Sequence, residues 1–136
     1  DAGKPYTPEV QASILEGMER RYILGLTLLG GEPFEPENQP AVLALCRAVR
    51  EKFPEKTIWC YSGYTLETDI LAGRLGPKDI TMELLGQLDV LVDGEFHLEE
   101  KDPSLRFRGS RNQRIIDVKK TLETGETVLW DGRKEP

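Results

Sequence analysis

The chain predicts an α/β fold built on a mostly parallel sheet. Three observations carry this: apolar runs short enough for strands buried on both faces, stretches of helical periodicity between them, and Gly or Pro at nearly every junction. Strands that alternate with helices need crossover connections, and these favour parallel neighbours. The order expected is α-β-α-β-α-β-loop-β-α-β, a single domain over residues 1–136 with no internal repeat.

The first helix follows Thr7 as N-cap, with Pro8 at its first position. Val10, Ile14 and Met18 recur every four residues, Leu15 and Tyr22 flank them, and Arg20 and Arg21 suit the negative end of the helix dipole. An apolar run over residues 23–29 reads as a strand buried on both faces, closed by Gly30-Gly31-Glu32-Pro33. A second helix runs from about Gln39 or Pro40 to Phe53, where Pro54 stops it, with Leu45, Val49 and Phe53 as its stripe. Residues 57–61 form the next strand and lead into Ser62-Gly63-Tyr64. Helical stretches follow over 65–71 and 79–85, then a buried strand over 89–93 ending at Gly94. Residues 95–112 read as a long polar loop, Ile115 and Ile116 as a short strand, 118–123 as a turn or two of helix, and 127–130 as a last strand.

A net charge of −6 argues against a general nucleic-acid binder, which would be basic. No apolar run approaches membrane-spanning length and no signal peptide is visible, so a soluble, cytoplasmic protein with no membrane partner is expected. Cys46 and Cys60 match no metal-ligand spacing and read as small buried apolar groups. The chain starts at Asp1 rather than Met, which predicts residues upstream.

In parallel α/β folds, ligands gather at the carboxyl ends of the strands. Three consecutive strands end here in Gly30-Gly31-Glu32-Pro33, Tyr61-Ser62-Gly63-Tyr64 and Asp93-Gly94-Glu95, which predicts one mouth of close-approach backbone and carboxylates. Carbonyls beside a carboxylate favour a cation such as an ammonium, although a tight turn alone would also explain the glycine pair. Asp93 can bind hydroxyls, an amine or a metal ion, or simply cap its loop. Tyr61 and Tyr64 can wall a flat ring or fill the core. Arg106, Arg108, Arg111 and Arg114 fall within nine residues of an acidic chain. They suit a partner protein or a polar ligand, or form a solvated loop. His97 reads as a surface residue. No nucleophile–base pair, zinc spacing, P-loop or dinucleotide fingerprint is present, so no catalytic residue is assigned within the chain.

Residues 28–34, Leu-Leu-Gly-Gly-Glu-Pro-Phe, resemble the Gly-Gly-Glu-Pro motif of radical S-adenosylmethionine enzymes. Residues 27–33, 58–67 (IWCYSGYTLE), 89–96 (DVLVDGEF) and 102–117 (DPSLRFRGSRNQRIID) together resemble the anaerobic ribonucleoside-triphosphate reductase activating proteins. The resemblance implies a partial (β/α) barrel, N-terminally truncated in this chain, with its first strand and cluster loop missing. It implies S-adenosylmethionine at the strand ends and a [4Fe–4S] cluster on a three-cysteine loop, whose ligands are expected upstream of Asp1. It also implies a 5′-deoxyadenosyl radical that stores a glycyl radical on the reductase, with a reductant such as flavodoxin supplying the electron. Gly30, Gly31, Glu32 and Pro33 carry over to the cofactor's ammonium, and Ser62 and Asp93, by strand position, to its carboxylate or ribose. Arg106, Arg108, Arg111 and Asn112 are assigned to reductase docking. The three-cysteine loop is absent, so this polypeptide alone is expected to be inactive. Two rivals stand beside this: a non-catalytic barrel remnant that docks on another protein, and an unrelated α/β enzyme using Asp93 and Glu32.

Overall fold

The structure, a computed structural model, describes residues 7–18, 25–28 and 31–132. It is a mixed α/β arrangement around an open four-stranded sheet in the order β1-β2-β3-β4. Strand β1 (Gly25–Leu28) pairs parallel with β2 (Thr57–Tyr61), and β2 pairs parallel with β3 (Val90–Asp93). Strand β4 (Arg114–Asp117) runs antiparallel to β3, with Asp93 opposite Arg114 and Val90 opposite Asp117. The direction of β4 was not expected. A loop, not a helical crossover, joins it to β3, so nothing forces the chain back to the start of the sheet.

Helix α1 (Pro8–Met18) begins as expected, with Thr7 Oγ1 accepting from the Val10 amide at 3.2 Å. Ile14 packs against the core, whereas Val10 faces solvent. Tyr22, Arg20 and Arg21 lie outside the described residues, as do the ends of the 23–29 run. Helix α2 (Gln39–Lys52) has Pro40 in its first turn and closes at Phe53. The segment after β2 is a single wide turn, Leu66–Ile70, followed by helix α3 (Lys78–Gln87). Helix α4 (Val118–Thr124) is capped by Asp117, whose side chain accepts from the Lys120 amide, and ends on Gly125 at φ +78°.

Strict alternation along the strands splits the core into two faces. Ile58 and Cys60 of β2, Leu91 of β3 and Ile116 of β4 point toward α2 and α3, where Leu45, Cys46, Val49, Leu84 and Leu85 meet them. Trp59, Val90 and Val92 point the other way. Loop and tail residues cover that second face. Phe107 and Trp130 stack on Trp59 with ring centroids 5.1 and 4.9 Å away, at tilted and edge-on angles that suit aromatic quadrupoles. Phe107 adopts φ +65°, an uncommon conformation for a bulky residue, and its ring is packed in this cluster.

Two further expectations are corrected. Residues 95–112 are a folded excursion, with a short turn over Leu98–Glu100 and a Lys101–Ser110 bridge. Residues 127–130 make one bridge, Ile116 to Leu129, flanked by bonds from the Asp117 amide to Val128 O and from the Trp130 amide to Ile115 O. They are an edge segment too short to be a strand. Among the described residues, no helix is long and apolar enough to cross a membrane.

Gln39 ties the loop after β1 to the helix layer. It is 1% exposed, donates to Phe34 O at 2.7 Å and Leu75 O at 2.8 Å, and accepts from Thr81 Oγ1 at 2.9 Å. Gln39→Leu strands the buried Phe34 carbonyl and leaves Leu75 O only Thr81 Oγ1, at 3.4 Å. Unfolding in urea should show a loss of about 1–3 kcal/mol. A loss too small to resolve would mean that water replaces the amide.

Candidate functional site

Because β1, β2 and β3 are parallel neighbours, their carboxyl ends lie side by side. The turns after them enclose an open cleft of about 300 Å³, with Gly31, Glu32, Ser62, Gly63 and Gly94 on its walls and Phe96 and Gln113 on the rim. Gly31 sits at φ +52° and Gly94 at φ +101°, conformations that disfavour any side chain. Gly30 lies outside the described residues. Pro33 is buried behind the turn.

Glu32 joins the first two tips. One carboxylate oxygen accepts from the Phe34 amide and from Ser62 Oγ, both at 2.9 Å, and the other accepts from the Gly63 amide at 2.7 Å. Ser62 is buried, and its Oγ accepts from the Tyr64 amide at 3.1 Å. The Glu32 carbonyl accepts from the Glu35 amide and from Asn38 Nδ2. Both polar ends of Glu32 are thus used inside the protein. Gly31, Gly63 and Gly94 line the cleft beside Glu32, Tyr61, Ser62, Phe96 and Gln113. Tyr64 donates its hydroxyl to Glu35, which pushes the phenol up to about 12. Tyr61 packs against the cluster that holds Trp59 and also lines the cleft.

Asp93 is 1% exposed, and both its oxygens are also engaged. Arg114 Nε donates to Oδ1 at 3.0 Å and Nη2 to Oδ2 at 2.5 Å; the Leu66 amide adds a bond to Oδ2 at 2.8 Å. The same guanidinium reaches Glu67 at 3.0 and 2.6 Å, and Glu67 accepts in turn from Thr127 Oγ1 at 2.5 Å. Arg114 is the residue that sequence reasoning missed. In the sequence it reads with the loop arginines, because only the antiparallel register of β4 sets it opposite Asp93. Its position just before Ile115 and Ile116, at the start of a strand, was the available signal.

The loop over residues 106–113 is stapled to the segment after β3. Arg108 Nη1 donates to Arg111 O at 3.2 Å and Gln113 O at 2.7 Å, and Asn112 Nδ2 donates to Glu95 O at 2.7 Å. Ser110 Oγ donates to Asn112 Oδ1 and accepts from the His97 amide. Gln113 accepts from the Gly109 and Ser110 amides and donates to Gly94 O. A Cβ at Gly109 would stand only 3.0 Å from the Phe96 ring, so that position must stay bare for Phe96 to lie on the rim. Of the four residues expected to meet a partner, Arg106 and Arg111 are exposed, while Arg108 and Asn112 serve the loop. His97 is held by Glu100 at 2.9 Å, which raises its pKa.

Cys46 and Cys60 are both fully buried. Burial pushes the Cys46 thiol up to about 12 and the Cys60 thiol well above its ordinary value.

The Arg114 bond holds the Glu67 carboxyl down to about 2. A depressed acid lends stability that is complete above its unfolded pKa, near 4.3, and is lost as pH falls toward the folded value. The unfolding free-energy difference between the wild type and Glu67→Gln should be constant above about pH 5 and shrink between about pH 4.5 and 2. A pH-independent difference would mean the pair is not formed.

A family model described as a 4Fe-4S single cluster domain matches residues 1–116. An anaerobic ribonucleoside-triphosphate reductase-activating protein of Vibrio cholerae is 42% identical over 117 residues, covering 84% of this chain and 70% of the relative. The protein of that name from Pasteurella multocida is 37% identical over 116 residues with the same coverage, and that of Escherichia coli K12 is 36% identical over 115 residues, covering 83% and 70%. No solved structure matches. With relatives of one name aligned through the β1, β2 and β3 tips, the chain belongs to the family of anaerobic ribonucleoside-triphosphate reductase-activating proteins.

Proposed function

We propose that the protein activates an anaerobic ribonucleotide reductase by installing a glycyl radical, with S-adenosylmethionine bound in the strand-tip cleft. The observation that carries this is convergence: three parallel strands end on glycine-bearing turns around one cleft, where parallel sheets take ligands. The left-handed Gly31 lets backbone approach a ligand closely, and Glu32 is committed to its own frame. The methionyl ammonium therefore falls to the Gly30 and Gly31 carbonyls, with Pro33 setting the turn. Ser62 and Asp93 serve the ligand through the backbone they hold. Phe96 and Gln113 on the rim limit water access. When bound and reduced, S-adenosylmethionine supplies the hydrogen abstraction that leaves the radical on a reductase glycine.

The chain's own cysteines do not fit an iron–sulfur cluster. A cluster needs a set of three or four thiolates, and this chain has two cysteines, both packed in the core between the sheet and the helices. In this reading its ligands lie outside these 136 residues, and a donor such as flavodoxin reduces it. The helix layer on one sheet face supports treating the sheet as part of a (β/α) barrel wall, with Trp59 on the inner side. The cysteine chemistry also favours one rival, a docking module without catalysis. Production of 5′-deoxyadenosine together with a glycyl radical signal on the reductase would decide for activation. A cluster-loaded protein that binds the reductase and gives neither product would leave the docking module.

Gly31→Val forces a β-branched residue to φ near +52°, a strain of about 1–3 kcal/mol. Calorimetry should find S-adenosylmethionine binding lost while iron content is unchanged; unaltered affinity would remove Gly31 from the site. Reversing Arg106 and Arg111 to Glu leaves the Arg108 staple intact. It should weaken reductase association by about tenfold or more at low salt, without affecting cofactor cleavage by chemical reductant. Normal association would place docking elsewhere.

A further inference from the structure

We propose that Arg114 is a positioning residue for the cleft, an internal cation that fixes the tip of β3 against the turn that follows β2. The inference rests on the reading of that cleft as the S-adenosylmethionine site and names what sets its width.

Asp93 is 1% exposed at the tip of β3. A carboxylate this deeply buried must be paired to stay ionised. Its cross-strand partner is Arg114, and the pairing is a two-point fork, the geometry a guanidinium offers and an ammonium does not. The other edge of the same guanidinium takes both oxygens of Glu67. Leu66 and Glu67 begin the wide turn after β2, and the Leu66 amide also binds Asp93. One planar group therefore clamps the β3 tip to the segment leaving the β2 tip. Between these points lie Gly63 and Gly94, the glycines shared by the cleft and a neighbouring hollow of about 450 Å³ that Asp93 and Arg114 help to line. The Gly94 amide donates to Tyr64 O at 3.0 Å, so a shift of either tip moves both glycines. The charge is fixed as well as placed: Asp93 and then Glu67 raise the Arg114 pKa, and no physiological pH releases it.

The test uses protein expressed from its complete coding sequence and S-adenosylhomocysteine, the unreactive analogue, as probe. Wild-type binding by calorimetry comes first; no binding would overturn the cleft reading and this inference with it. Where the wild type binds, Arg114→Lys should keep cooperative melting but bind at least about tenfold more weakly, since an ammonium cannot fork to Asp93 and Glu67 together. Arg114→Ala should regain affinity when methylguanidinium is added, an effect that general destabilisation does not produce. Equal affinity of Arg114→Lys and wild type would overturn the proposal, as would an Arg114→Ala loss that methylguanidinium leaves unchanged. If neither variant folds, Glu67→Gln loosens one half of the clamp and leaves Asp93 paired. A severalfold loss of affinity then supports the role, and wild-type affinity overturns it.

Discussion

Where parallel strands stop together, their backbone amides must find partners other than the sheet. That constraint organises this molecule. An amide left unpaired in a buried position costs as much as a lost hydrogen bond. Here carboxylates answer it. Glu32 receives the Phe34 and Gly63 amides, and Asp93 receives the Leu66 amide. At the opposite end of β3, Asp89 receives the Ile58 amide at 2.8 Å. Strand β3 is thus bracketed by two aspartates, each also paired with an arginine: Asp89 with Arg50 and Asp93 with Arg114. Each pair joins the strand to its neighbours at the point where backbone pairing runs out.

This use of carboxylates changes how the acidic residues of the mouth are understood. Read along the chain, Glu32 and Asp93 are acids at strand ends and invite assignment to a ligand. In the fold every oxygen of both is already accepting from within the protein. The turns that these carboxylates hold bring Gly31, Gly63 and Gly94 to the mouth.

Much of the frame was legible in the sequence because local chemistry determined it. Phe53 and Pro54 end α2, Thr57–Tyr61 forms a strand between polar turns, and Gly125 ends α4 in the left-handed conformation that only glycine adopts cheaply. The convergence of the three tips was legible for the same reason, since β-helix-β order forces parallel strands to end on one side. The direction of β4 was not legible. A polar segment of 20 residues between Asp93 and Arg114 is compatible with either direction, and only packing decides. Phe107 and Trp130 stacked on Trp59 hold the excursion and the tail against the sheet face opposite α2 and α3. Without the direction of β4 the Asp93–Arg114 pairing is not visible, and an arginine of the frame reads as one more arginine of the loop.

The rim and the mouth cannot be independent parts. Gln113 accepts from the Gly109 and Ser110 amides through its side-chain oxygen and donates to Gly94 O through its nitrogen. Its own carbonyl receives Arg108 Nη1, and Asn112 fastens the loop to Glu95 O. Arg114, the next residue, clamps Asp93. The chain from 108 to 114 is therefore bonded at one end to the exposed arginine loop and at the other to the tip of β3, with no slack residue between them. A protein that pulls on Arg111 must either break several buried-edge hydrogen bonds or move Gly94 with it. The loop that carries Arg108 and Arg111 and the tip of β3 are therefore parts of one hydrogen-bonded frame.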